Sequence, residues 1–380
     1  MKIKQLVAHP LRCPLKEPFA YSQKWFDART TLLVEVRTDV GITGWGEVFC
    51  HDAWPALVPL IERVLQPLVV DHDALARQVI WEKLYNWTRD YGQRGLTAAA
   101  ISGIDIALWD IAGKAVGQPV YALLGGPFCD RVRAYATGMY QTKPSLDDPC
   151  VLAQEATSYV EQGFTALKVK VGFGIERDVV NVRAIRRAIG DETDLMVDAN
   201  HAYDPERAIS LGQRIAPFRI AWLEEPVVPE IPDAYRQVRQ ALSIPIAGGE
   251  AEFTRYGFQQ LFRQSCLDIA QPDICITGGI SETMRIAQLA QVWGVRCVPH
   301  VWGSGVALAA ALHVLSALPP EPLSLNPRKP LLEYDRTENP IRDRILTTPI
   351  EMVDGQVLVP SGHGLGVTVD RDVIERYGVS

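Results

Sequence analysis

At 380 residues, 47% hydrophobic and 22% charged, the chain has the make-up of an ordinary globular protein, long enough for one large and one smaller domain, and is neither disordered nor fibrous. A formal charge of -7 and a pI near 5.6, with no basic stretch to offset them, argue against nucleic acid or an anionic membrane as partner and favour small-molecule chemistry. Met1-Lys2-Ile3-Lys4-Gln5 lacks the apolar core of a secretory signal and no apolar run of about 18 residues occurs, so a cytoplasmic protein is expected; seven cysteines without Cys-x-x-Cys fit reduced packing residues.

Residues 1 to about 50 alternate as a β meander, in which Thr31 to Val36 and Ile42 to Glu47 are strands separated by the turn Thr38-Asp39-Val40-Gly41. Between the early strands, Pro18 to Phe26 reads as a loop both aromatic and polar, suited to covering a ligand or to plugging a neighbouring helix, and His51 is similar. From about 55 to 117 the pattern is helical, strongest over Thr97 to Lys114, where Ile101, Ile104, Leu108 and Ile111 give a wide apolar face. Gly117-Gln118-Pro119 ends that helix and Gly125-Gly126-Pro127 breaks the chain, placing a domain boundary after residue 127.

Beyond it, apolar runs end near Thr137, Lys170, Asn200, Glu225, Gly249, Gln271 and Pro299, with amphipathic helices between them, as at Ile175 to Ile189. Such a series of βα units closes more naturally into an α/β barrel than into an open doubly wound sheet. No Gly-x-Gly-x-x-Gly follows the first strand, and the polar residues gather at strand C-terminal ends. The barrel is expected over 128–345, and 346–380 is expected to return to the N-terminal domain.

The organising stretch is Leu167-Lys168-Val169-Lys170-Val171-Gly172, a strand whose two lysines share a face and need anions opposite them. Asp198, Glu224 and Glu250 each end a separate apolar run. Singly they would read as helix caps or surface ion pairs, but three carboxylates at one barrel mouth repel strongly without a cation, and all-oxygen ligation suits Mg²⁺ better than zinc. Asp273 and His300 end the next two runs and form a candidate dyad, the carboxylate fixing the imidazole's tautomer. Lys170, with Lys168 beside it to favour its neutral form, is a second candidate base.

The ordered set Lys-x-Lys, Asp-x-Asn, Glu-Glu-Pro, Gly-Gly-Glu, Gln-Pro-Asp and Pro-His resembles the mandelate racemase subgroup of the enolase superfamily over essentially the whole chain. The resemblance implies a (β/α)7β barrel with an α+β capping domain and a homo-oligomer. It implies Mg²⁺ at Asp198, Glu224 and Glu250, a base at Lys170 backed by Lys168, and a second base at His300 oriented by Asp273. Arg133 to Gly138, Val298 to Gly303 and Leu332 to Thr337 look like members acting on acid sugars. One departure concerns the acidic electrophile that mandelate racemase places shortly after the histidine: here the candidate is Glu333, farther on and preceded by Pro327 and Pro330, with a surface salt bridge as the alternative.

The expected chemistry is removal of the proton α to a carboxylate by Lys170 or His300, followed by loss of a β oxygen from an aldaric acid or its lactone. Tyr21, Lys24, His51, Tyr140, Asn200 and Glu333 are candidates to meet the substrate. Dehydration and epimerisation share the first half-reaction. A metal-dependent lactone hydrolase is the rival of another class. A sugar-binding protein with a structural cation would have no use for paired bases.

Overall fold

Three antiparallel strands, β1 (Ile3–Tyr21), β2 (Lys24–Thr38) and β3 (Thr43–Val48), form the N-terminal sheet in the order β1-β2-β3. The structure is a computed structural model and describes residues 1–322 and 324–379. The stretch Pro18 to Phe26, expected as a loop, is the tip of the β1/β2 hairpin. Phe19 pairs with Phe26 and Tyr21 with Lys24, leaving Ser22 and Gln23 as the turn. Aromatic side chains favour the extended backbone, so pairing continues where polar residues suggested a loop. The tip reaches the barrel: Ala20 and Gln141 exchange backbone hydrogen bonds, and the Ser22 hydroxyl donates to the carbonyl oxygens of Ala199 and Asn200.

The helix Leu96–Val116 ends at Gly117, whose φ of +68° is the left-handed conformation that glycine adopts without steric cost. Its close packing on β3 depends on missing side chains, since a Cβ at Gly46 would lie 1.9 Å from the Gly103 carbonyl oxygen. Among the described residues this is the one helix long and apolar enough to cross a membrane, and 89% of its apolar window is buried inside the protein. All seven cysteines are free.

Eight parallel strands follow, β4 (Arg131–Gly138), β5 (Ala166–Lys170), β6 (Asp194–Asp198), β7 (Ile220–Glu224), β8 (Ile246–Gly248), β9 (Ile269–Ala270), β10 (Arg296–Cys297) and β11 (Leu331–Asp335). Each of the first seven is followed by a helix, and β11 returns to pair with β4, giving the (β/α)7β barrel. The period of two fills the interior: Ala166, Lys168 and Lys170 of β5 point inward, where Tyr135, Met196, Trp222, Ile269 and Leu331 form the packed lower layer, while Leu167 and Val169 face the helices. Beyond residue 345, β12 (Met352–Val353) and β13 (Gln356–Leu358) form a hairpin whose second strand pairs with the start of β4. The remainder crosses to the N-terminal part, where Leu365 N donates to Asp110 and Arg371 pairs with Glu35 at 2.5 Å.

Asp105, buried in the helix Leu96–Val116, accepts hydrogen bonds from the backbone N (2.9 Å) and hydroxyl (2.6 Å) of Ser281 and so ties the cap to the barrel helix Gly279–Val292. Burial pushes its carboxyl up to about 7 against the Ser281 hydrogen bonds. Between the unfolded value near 4 and 7 the native state holds the extra proton, so this group's contribution to stability falls as pH rises through that window. Asp105→Asn is expected to flatten the stability-versus-pH curve between pH 4 and 7, measured by denaturant unfolding; an unchanged slope would contradict the assignment.

Candidate active site

The sheet register sets the polar residues side by side at the C-terminal mouth of the barrel. Lys170 pairs with Asp198 and Asp198 with Glu224 at the ends of β5, β6 and β7. Glu250 follows β8 by two residues, while Asp273 and His300 form a bridge just past β9 and β10. One oxygen from each of Asp198, Glu224 and Glu250 lies within 4.8 Å of the others.

The lysines are embedded among these acids. Lys168 Nζ is 2.5 Å from Glu224, 2.8 Å from Glu333 and 3.6 Å from Asp198, and Lys170 Nζ is 2.5 Å from Asp198. Burial opposes the Lys170 ammonium most strongly, but Asp198, Tyr140 and Glu250 together outweigh it and raise its pKa. The expectation that Lys168 would favour a neutral Lys170 is therefore corrected: the carboxylate in direct register is nearer and stronger than the like charge. Burial likewise opposes ionisation of Asp198, and the two lysines hold it below the usual carboxylate range. Glu224 moves the other way, to about 8, because burial and Asp198 outweigh Lys168.

His300 Nδ1 is 2.6 Å from Asp273 Oδ2, and its Nε2 is 3.5 Å from Glu250 Oε2. Asp273 is itself held by the backbone N of Cys275 at 2.6 Å. Burial opposes the imidazolium, while Glu250, Glu333 and Asp273 together push His300 up to about 10.

A cavity of about 170 Å³ opens over these groups, lined by Lys170, Asn200, His201, Glu250 and His300 from the barrel and by Tyr21, Phe26, Phe49 and His51 from the cap, with Tyr140 and Trp302 at the join. Of the residues expected to meet substrate, Tyr21, His51, Tyr140 and Asn200 line it, and Lys24 and Glu333 do not. Lys24 Nζ lies 4.8 Å over the Phe26 ring. Glu333 is buried beneath, bonded to Lys168, the Thr137 hydroxyl and the Val301 backbone N, so it makes no surface salt bridge. Burial, with Lys24 and Arg29 nearby, pushes His51 down to about 3, leaving it a neutral hydrogen-bonding group.

Two further residues belong to the site. His201 Nδ1 lies 2.9 Å from Glu225 Oε2, and Glu225 is buried. Asn200, His201 and Glu225 have φ of +42°, +57° and +41°, a sparsely populated backbone region that gathers at functional sites. Asn200 and Glu225 stand in the Asp-x-Asn and Glu-Glu-Pro motifs, whereas the only sequence signal for His201 was its position next to the first of them.

The donor set fits a hard divalent cation. Its ligands would be oxygens; Asn200 Oδ1 is buried without a hydrogen-bond partner, and Glu250 Oε2 makes no hydrogen bond and has only His300 Nε2 at 3.5 Å, so a cation would satisfy what the protein leaves open.

A barrel carrying two lysines, a carboxylate triad and a His–Asp pair at one mouth, roofed by an aromatic cap, defines a capped α/β-barrel enzyme. Residues 3–125 match the mandelate racemase / muconate lactonizing enzyme N-terminal domain, and residues 151–373 match the enolase C-terminal domain-like family. The chain belongs to the mandelate racemase / muconate lactonizing enzyme family of the enolase superfamily. It is similar to D-galactarolactone cycloisomerase of Agrobacterium fabrum, 45% identical over 377 residues and 99% of each chain. Arabinonate dehydratase of Saccharolobus solfataricus is 37% identical over 90% of this chain and 89% of that protein. Among solved structures, 3,6-anhydro-D-galactonate cycloisomerase from Zobellia galactanivorans superposes with a TM-score of 0.90 at 41% identity over 100% of both chains. A racemase from Streptomyces coelicolor A3(2) with bound magnesium superposes at 0.88 and 27% identity over 99% of this chain and 100% of that one.

Proposed function

We propose that the chain opens the lactone of an aldaric acid by α-proton abstraction and β-elimination, giving a deoxy-keto acid. The observation that carries this reading is that Lys170 and His300, each beside its own carboxylate, face one cavity. The acid-sugar class is supported by the named activities of the two cycloisomerase relatives.

In this reading the neutral form of Lys170 or His300, which Asp198 and Glu250 disfavour as long as their own charges are uncompensated, takes the proton from the carbon next to the free carboxylate, and the C–H electrons pass into that carboxylate. They return to form a C=C bond as the β C–O bond breaks. In a lactone the departing oxygen leaves as a carboxylate, a stable anion that needs no proton, whereas loss of hydroxide from an open acid requires an acid catalyst. The enol then takes a proton at carbon to become the keto acid, with no water consumed. Asp273 holds His300 in orientation. Lys168, anchored by Glu333 and Glu224, sets a positive charge beneath the reacting carboxylate. We assign Asp198, Glu224 and Glu250 as the ligands of Mg²⁺. Held there, the ion would supply positive charge to the oxygens that become more negative as the proton leaves. Tyr21, Tyr140, neutral His51 and the unpartnered Trp302 indole N–H are placed to meet sugar hydroxyls.

The test is proton NMR with Mg²⁺ on a panel of aldaric acids and their lactones. A deoxy-keto acid from one lactone is the expected product. The same type of product from an open acid with loss of water would make the enzyme a dehydratase, and no reaction across the panel would contradict the substrate class.

Trp302 is held from the cap. The Arg29 guanidinium stacks 3.6 Å from its ring and donates to its carbonyl oxygen (2.9 Å) and to Asp335 (3.0 Å). Glu47 accepts from Ser304 N (2.7 Å) and Ala307 N (2.9 Å) just after it. Arg29→Lys keeps the charge but loses the planar fork. It is expected to lower kcat/KM by about tenfold, roughly 1.4 kcal/mol, mainly through KM in steady-state kinetics. An unchanged KM would show that Trp302 is positioned without it.

A further inference from the structure

The opposite, N-terminal end of the barrel holds a second cavity of about 860 Å³. In a chain of net charge -7, its lining carries Arg133, Arg239, Arg296, Arg328 and Lys329 against Asp194 and Asp268. Both acids are already engaged, Asp194 by Arg133 and Asp268 by Arg239, each at 2.8 Å. Among the described residues no carboxylate lies within 4.0 Å of Arg296, Arg328 or Lys329. The adjoining cleft, which shares these three cations, adds one acid, Glu321. Arg296 begins β10 and stands in the wall, and burial with Arg328 alongside pushes its pKa down to about 10. Trp222, Ile244 and Leu331 supply apolar wall between the charges.

Arg296, half-buried in the wall without a carboxylate partner, is a costly cation; the exposed Arg328 and Lys329 stand beside it, and guanidinium groups match carboxylate and phosphate oxygens in forked pairs. We propose that this cavity binds a small polyanion, a polycarboxylate or a phosphate-bearing metabolite, at the face opposite the active site. Arg296 forms the wall contact, and Arg328 and Lys329 meet the ligand from the loop before β11. The site is separate from the catalytic one, because its residues stand at the starts of the barrel strands and Lys170, Asp198 and Glu224 at their ends.

The test is titration calorimetry of the Mg²⁺-loaded protein with sulfate and with tricarballylate at constant ionic strength. The expected result is one saturable event, unchanged in Lys170→Met and weakened about tenfold or more in Arg296→Met and Arg328→Ser, about 1.4 kcal/mol for each tenfold. Tighter binding of tricarballylate would mark the ligand as a polycarboxylate, and tighter binding of sulfate would mark it as phosphate-bearing. Arg328→Ser, on an exposed loop, carries the test if Arg296→Met does not fold. Equal affinity in the arginine variants, loss of binding in Lys170→Met, or no saturable binding of either anion would overturn the proposal.

Discussion

Lys170→Met is expected to fold and to lose turnover by about 10²- to 10⁴-fold, the range over which a positioned acid or base contributes. Breaking a buried ion pair costs about 3–5 kcal/mol when the surviving charge is left alone. Here Asp198 is not alone: the backbone N of Asn200 donates to it at 2.9 Å and Lys168 Nζ is 3.6 Å away. Near-native thermal unfolding with lost turnover is therefore the expected pair of measurements. A lactone hydrolase using a metal-bound water would keep most of its activity in the same variant, so sustained turnover would remove Lys170 from the proposed chemistry.

Glu250→Gln is expected to separate stability from function. Of the three triad carboxylates Glu250 is the least satisfied by the protein, with Asn200 Nδ2 at 3.4 Å from one oxygen and no hydrogen-bond partner for the other. Glu224, in contrast, accepts from Lys168 (2.5 Å), Trp222 (2.9 Å) and Gln271 (2.7 Å). Neutralising Glu250 relieves its repulsion with Asp198 and Glu224 but also removes the charge that His300 Nε2 faces at 3.5 Å, so the metal-free variant should melt close to the metal-free wild type. It should also lose the rise in Tm that Mg²⁺ gives the wild type, since a ligand stabilises only the state that binds it. Turnover should fall by at least about 10²-fold, the several kcal/mol a Lewis acid contributes. A lower metal-free Tm together with a retained Mg²⁺ shift would remove Glu250 from the ligand set.

The sequence made the barrel and its mouth readable because both obey a period of two. Lys168 and Lys170 had to share a face, and the acids that end successive runs had to share a rim. What it concealed lies where that period breaks. A residue beside an inward one should face away, yet the left-handed backbone at Asn200 and His201 turns His201 into the cavity, and that at Glu225 keeps its carboxylate buried beside Glu224. The hairpin tip was hidden because Pro18 and its polar neighbours imitate a loop, while the Phe19 and Phe26 pairing that extends the strands is a cross-strand contact. The charge on Lys170 could not be read either, since it depends on a register that sets Asp198 nearer to it than any other ion. The roof of Phe26, Phe49 and Trp302 comes from three segments far apart in the chain, and docking of the cap on the barrel brings them together.

Abstraction of an α proton is tested most directly by the fate of that hydrogen. An aldarolactone carrying deuterium at the carbon next to its free carboxylate should be turned over more slowly than the unlabelled compound, and its deuterium should be lost from that carbon. A product that is simply the opened hydroxy acid with its deuterium in place, formed at the unlabelled rate, would contradict proton abstraction and leave hydrolysis as the chemistry of this site.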